Sequence, residues 1–390
     1  MMDSNCEGIL EDLGEYVQSL EDIRETVLST MVMVNEIPSP TFKERARAHF
    51  LVDRFSEMEM LNASVDEKDN ALGIIPGLRG DQDILLVAHL DSLFDETVDH
   101  TVTLEPRSAI GPGLSDNSLG VAVLGTLPLI MERIGLKLDS NLVLLGSSRG
   151  LGKGDLEGLR FVLDNYKHPF SAAVCIEGVR IGRLSFSSVG MLRGELTYSI
   201  PEFYDWTKFH SVGAIVDMND MINRILEIPL PRKPKTTIVL GRMEAGTSYN
   251  TLPTKARLMF EIRSESDEVV SELAHSINSL AEEMTSKTGA LVQFREIARR
   301  KSGGTEFTHP LNTIAREILK HLGIKSRITP STSEVAALID KGIPAITIGL
   351  TTGENAGDID ETIDIDPIAT GLAQLTALLK AIDKGCAHES

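Results

Sequence analysis

An aliphatic run, Ile84 to Ala88, ends in His89, Leu90 and Asp91. Side chains in a strand alternate between faces, so His89 and Asp91 leave on the same side and can touch each other or share an ion. A capped strand end carrying an ordinary histidine would look the same. Two further carboxylates bear on the choice. Glu177 directly follows the apolar run "AAVCI", and Asp116 lies in "GPGLSDNSLG", a glycine-rich loop that opens a helix. Each has a plain alternative, since aspartate is a favoured helix N-cap and a glutamate at a strand end can simply be solvated. Together, one imidazole and two carboxylates supply three ligands of kinds that zinc accepts, and zinc sites that do chemistry keep a fourth position open. Asp91 would then accept a hydrogen bond from the His89 ring and fix its tautomer.

These residues need elements that bring them together. Continuous apolar runs ("ALGIIPG", "ILLVA", "NLVLLG", "AAVCI", "AITIG") read as strands buried on both faces, and "DNSLGVAVLGTLPLIMERI" and "GDLEGLRFVLDNY" as helices between them. That alternation predicts a doubly wound α/β domain, whose ligands gather beyond the carboxyl ends of the strands. Between about Gly190 and Arg300 the order becomes strand, helix, two strands, long helix, strand. This is the βαββαβ order of a ferredoxin-like module. The expected organisation is a main domain in two parts, 1–188 and 302–390, with an inserted lid, 189–301.

The 390 residues carry 42% hydrophobic and 24% charged side chains, ordinary for a globular protein. A formal net charge of −19 argues against nucleic acid and anionic membranes as partners. No signal pattern is read at the N-terminus, and no run is expected to approach the length of a membrane-spanning helix. Cys6, Cys175 and Cys386 are far apart and odd in number, which predicts neither a disulfide framework nor a thiolate zinc site. The expected location is cytoplasmic.

The chain resembles the cocatalytic-zinc family of acetylornithine deacetylase, succinyl-diaminopimelate desuccinylase, peptidase T and aminoacylase, over nearly its whole length. The motifs are "AHLDS" for His-x-Asp, "GPGLSDNSLG" for the Gly-x-Gly-x-x-Asp loop and "CIEG" for the later acidic ligand. In the insert, "FHSVGA" resembles the lid histidine motif, "SYNTLP" Asn-x-x-Pro, and "EIRS" Asp-x-Arg-Ser. The resemblance implies a zinc-aminopeptidase-like main domain with a ferredoxin-like lid and dimerisation domain. It implies that His89, Asp116 and Glu177 hold one metal, with Asp116 bridging to a second. It further implies that His210 stabilises an oxyanion in the partner subunit of a homodimer, and that Asn250 and Arg263 bind the carboxylate of a small peptide or N-acyl amino acid.

The chain also departs from that pattern. The family's adjacent glutamates, general base and second-metal ligand, align with Gly150 and Leu151, and no carboxylate occurs between Asn141 and Gly154. The last histidine ligand aligns with Gly357, and no histidine lies between His321 and His388. The Ser-Thr-Asp segment reads Thr332-Ser333-Glu334. Asp155, Asp358, Asp360 and Glu361 are the candidate replacements. Two readings follow: a metallo-hydrolase of weak or altered activity with one zinc or other divalent ion, or a non-catalytic binder of small carboxylates or peptides, with one ion or none.

Overall fold

The computed structural model describes residues 4–200 and 213–387. The chain divides into two units, Met1–Ser188 with Gly304–Ser390, and Val189–Gly303. Before the insertion the strands are β1 (Leu61–Val65), β2 (Ala71–Ile75), β3 (Asp83–His89), β4 (Asn141–Ser147), β5 (Phe170–Val179) and β6 (Arg183–Ser185). The insert supplies β7 (Gly190–Ser199), β8 (Thr236–Ala245), β9 (Lys255–Ser264) and β10 (Leu291–Arg300), and the chain returns for β11 (Arg327–Ile328) and β12 (Ala345–Thr351). The helices are α1 (Ser4–Glu11), α2 (Leu13–Leu20), α3 (Arg24–Asn35), α4 (Arg45–Glu57), α5 (Leu119–Arg133), α6 (Glu157–Asn165), α7 (Ala214–Leu226), α8 (Asp267–Thr288), α9 (Pro310–His321), α10 (Glu334–Asp340) and α11 (Ile368–Asp383).

In the first unit the sheet runs β1-β2-β4-β3-β5-β12-β6-β11, with β4, β3, β5 and β12 mutually parallel. Every residue of β3 and β12 is buried, as the aliphatic runs require of strands covered on both faces. Ile84, Leu86, Val174 and Ile176 pack on one side, in a core shared with α1–α5, α9 and α11. Leu85, Val87, Ala173 and Cys175 pack on the other, beneath α6 and α10. The doubly wound α/β arrangement expected from the sequence is therefore present.

Two expectations are corrected. A disulfide joins Cys6 in α1 to Cys386 beyond α11, with Cα atoms 6.1 Å apart across 380 residues of sequence. Spacing along the chain gave no hint of it, because only the packing of α1 against α11 brings the two thiols together. Cys175 is free and buried. The stretch Leu114–Arg133, 20 residues, is long and apolar enough to cross a membrane, although Asp116 and Asn117 interrupt its helical backbone, and 83% of its most apolar window is buried within the protein. It packs on α3, α4 and β3, so its hydrophobicity serves the core.

The inserted unit is an antiparallel sheet, β8-β9-β7-β10, packed against α7 and α8. Along β9, Ala256, Leu258, Phe260 and Ile262 are buried and alternate with more exposed residues, the period-two pattern of a strand with one covered face. Ser266 caps α8 by accepting from the Val269 amide at 3.4 Å, and Gly289 ends it in the left-handed conformation (φ 72°). The βαββαβ order read from the sequence is the order found.

Candidate metal centre

Alternation along the strands aims the site. Leu85 and Val87 face α6 and α10, so His89 at the end of β3 leaves on that side too. Ala173 and Cys175 face the same way on β5, which puts Glu177 on that side as well. Val87 pairs with Cys175, and two residues further on His89 comes level with Glu177. Asp116 arrives on the loop before α5. Asn117 ties that loop to β5 by donating to the Ile176 carbonyl at 2.6 Å. Gly178 lets it approach, since a Cβ there would lie 2.7 Å from the Ser115 carbonyl oxygen. His89, Asp116 and Glu177 each offer a ligand atom, and these lie within 4.8 Å of one another; among the described residues no other such group is found.

His89 Nε2 is 2.8 Å from Asp116 Oδ1, while Nδ1 is 2.9 Å from the main-chain oxygen of Asp91 and 3.4 Å from its Oδ1. The closer partner of the ring is thus the Asp91 carbonyl, whereas the sequence reading had assigned that role to the carboxylate. The carboxylate also accepts from Thr41 Oγ1 (2.9 Å), the Gly150 amide (3.1 Å) and the Leu151 amide (2.7 Å). Burial alone would raise Asp91, but His89, the Leu151 amide and the Thr41 hydroxyl outweigh it and hold this carboxyl below its ordinary value. Burial likewise opposes the charged His89 ring, yet Asp116 and Asp91 overcome it and keep the imidazole well above its usual range. Burial pushes Glu177 up to about 8, with Asp116 and Glu334 adding to the rise and His89 and Arg183 opposing it.

The donor set fits a divalent cation. Four carboxylates (Asp91, Asp116, Glu177, Glu334) gather around one imidazole, and Glu177 is left short of positive charge. A bound cation is the largest local charge such a site can have and would reverse that shortage.

Several contributors escaped the sequence reading. Arg47, 1% exposed, donates to the Leu90 carbonyl (3.0 Å) and the Ile37 carbonyl (2.7 Å) and places positive charge behind Asp91. Thr41 and Glu44 come from the turn before α4, and Glu44 Oε1 accepts from the Arg149 amide at 2.8 Å, fixing the loop that carries Gly150. An arginine with no solvent to face, just past "IPSPTFKE", carries no period or motif that announces it.

None of the four candidate replacements joins the cluster. Glu361 is buried, and its carboxylate accepts from the amides of Ser115 and Gly357, so it braces the Asp116 loop. Asp358 and Asp360 are exposed. Asp155 sits in the turn entering α6, where its main-chain oxygen accepts from Arg160 Nε at 3.2 Å.

In the inserted unit, Asn250 is exposed in the turn between β8 and β9, its Oδ1 accepting from Ser248 Oγ at 3.2 Å. Arg263, half-exposed near the far end of β9, donates to Glu261. From Lys255 to Arg263 the strand covers roughly 26 Å at about 3.3 Å per residue. The resemblance assigns both residues to the substrate's carboxylate, and within one chain they stand off opposite ends of β9. His210 lies outside the described residues.

Comparison with known proteins agrees with this architecture. Residues 207–288 match the M20 peptidase dimerisation domain. Similar solved structures include the dipeptidase Dug1p of Saccharomyces cerevisiae, 13% identical, TM-score 0.75, over 95% of this chain and 98% of that one. A metallo-carboxypeptidase of the M20 family from Sulfolobus solfataricus is 14% identical with TM-score 0.72, over 92% and 99%. A dinuclear metal-binding M20 peptidase from Bacillus subtilis is 16% identical with TM-score 0.65, over 93% and 99%. No curated protein sequence matches. At these identities the likeness establishes the fold, that of the M20 metallopeptidases. With the dimerisation-domain match it supports the zinc peptidase and deacylase family read from the motifs.

Proposed function

We propose that this protein is a metal-dependent peptidase or N-acyl-amino-acid amidohydrolase-like protein that holds a single divalent cation, zinc being the ion its ligand types suit best. The observation that carries the reading is the convergence of His89, Asp116 and Glu177 within 4.8 Å at the carboxyl ends of β3 and β5. When bound, such an ion polarises a carbonyl or acidifies a water. The chain's own residues orient and charge the site. The Asp91 carbonyl fixes the His89 ring, and the amides of Gly150 and Leu151 hold the Asp91 carboxylate. Those two amides stand where the family carries its base and its second-metal ligand. Hydrolysis should therefore be weak, since a general base contributes typically about 10²–10⁴-fold. The absence of a side chain at Gly150 equally favours a binder of small peptides or carboxylates that does not turn over.

Self-association through the inserted unit belongs to the same reading. With Asn250 and Arg263 off opposite ends of β9, one substrate would draw them from two chains, which a homodimer provides. The deciding experiment is metal analysis of dialysed protein together with assay of dipeptides, tripeptides and N-acetyl amino acids. One equivalent of zinc with slow turnover supports the hydrolase, one equivalent with no turnover the metal-holding binder, and no retained metal removes the hydrolase.

A further inference from the structure

Gly150 is not demanded by its backbone. Around it, Arg149, Gly152, Asp155 and Leu156 have φ values of 55°, 51°, 52° and 61°, whereas Gly150 is not among the residues of positive φ. A Cβ there would cause no main-chain strain. What it would meet is negative charge. An ideal Cβ at position 150 would lie 3.1 Å from Asp91 Oδ1, 3.3 Å from Glu334 Oε1 and 3.4 Å from His89 Cβ.

Glu334 is 3% exposed and is the first residue of α10. That helix covers the side of the sheet on which His89 and Glu177 emerge. The Glu334 carboxylate therefore stands beside the end of β3, where its charge is felt at His89 and Glu177, although it is not one of the three ligand side chains. In the resembling family the residue aligned with Gly150 is a glutamate and the one aligned with Glu334 an aspartate. Two departures remote in sequence thus meet in space. One removes a carboxylate, and the other extends a second carboxylate by one methylene towards the space left behind.

We propose that Glu334 replaces the carboxylate missing at position 150: it is a positioning residue, delivered from α10, whose charge helps hold the cation and whose side chain crowds any added at position 150. This rests on the reading that His89, Asp116 and Glu177 bind a divalent ion.

The test combines zinc titration calorimetry and thermal melting of the metal-free full chain for three variants: Glu334→Gln, Gly150→Glu, and Gly150→Glu with Glu334→Gly. Glu334→Gln keeps size and shape, so its melting temperature should stay close to that of the parent while zinc affinity falls by about 10–100-fold, as for other groups that support ligands. Gly150→Glu alone should melt lower and bind zinc more weakly, because two carboxylates then compete for one space. The double variant should recover most of both losses. Zinc affinity unchanged in Glu334→Gln, or a double variant no better than Gly150→Glu, would overturn the proposal. If the parent itself takes up no zinc, the metal reading fails, while the melting comparison of the single and double variants still decides whether the two positions share one space.

Discussion

At the scale of residues, the site is an imidazole fixed by a carbonyl and surrounded by carboxylates. Glu177 should be indispensable. Replacing it with alanine leaves His89 and Asp116, and elemental analysis after dialysis should find the chain empty. Asp91→Asn should act differently. Its near contact to the His89 ring is through the main chain and survives, but the charge and the paired acceptors for Thr41, Gly150 and Leu151 change. Zinc should bind about 10–100-fold more weakly, the usual cost of altering a group that supports a ligand. The parent should hold no more than one equivalent per chain, because no other cluster of three ligand side chains forms among the described residues. Two equivalents in the same measurement would show that Glu361, Asp358 or Asp360 moves to receive a second ion. Gly150→Glu should not restore turnover, since it adds a base without a second-metal ligand and into space that Glu334 approaches.

At the scale of elements, the outer helices are bound by a link the core does not require. Cys6 and Cys386 close a loop of nearly the whole chain, and α1 packs on α11 beside them. A disulfide of this kind typically contributes about 2–4 kcal/mol, chiefly by restricting the unfolded chain. Cys6→Ser should lower stability by that order in denaturant unfolding. Thiol titration of unreduced, denatured protein should find one free thiol, Cys175. Three would mean that the bond does not form where the protein is made, and would accord with the reducing cytoplasm expected from the sequence.

At the scale of the whole molecule, the question is assembly, and the inserted unit bears on it. Residues 207–288 match a peptidase dimerisation domain, and Asn250, in the turn before β9, and Arg263, near its far end, stand off opposite ends of that strand. Light scattering should therefore report a dimer, and removal of residues 189–303 should leave a monomer. A full-length chain that stays monomeric at all practical concentrations would take away any role for His210, Asn250 or Arg263 in a neighbour's site. For the dimer, catalytic efficiency on dipeptides, tripeptides or N-acetyl amino acids should fall well below the common enzyme range of about 10⁴ M⁻¹s⁻¹ and above. A value inside that range would show that some carboxylate has taken over as base.

The strands, their covering helices and the βαββαβ insert were legible in the sequence because burial marks apolar residues, as continuous runs in strands covered on both faces and as a repeat near 3.6 in helices. His89 and Glu177 could each be placed at the carboxyl end of a strand, while the register that brings them level came from the pairing of β3 with β5. Tertiary structure alone decided the rest. Cys6 met Cys386 only because α1 and α11 pack together, and Arg47 reached the Leu90 carbonyl only because α4 packs against the sheet and α5. The empty side-chain position at Gly150 is plain in the sequence, but the carboxylate beside it is not. Glu334 belongs to a helix far along the chain, and proximity between remote segments leaves no period and no motif for a sequence to display.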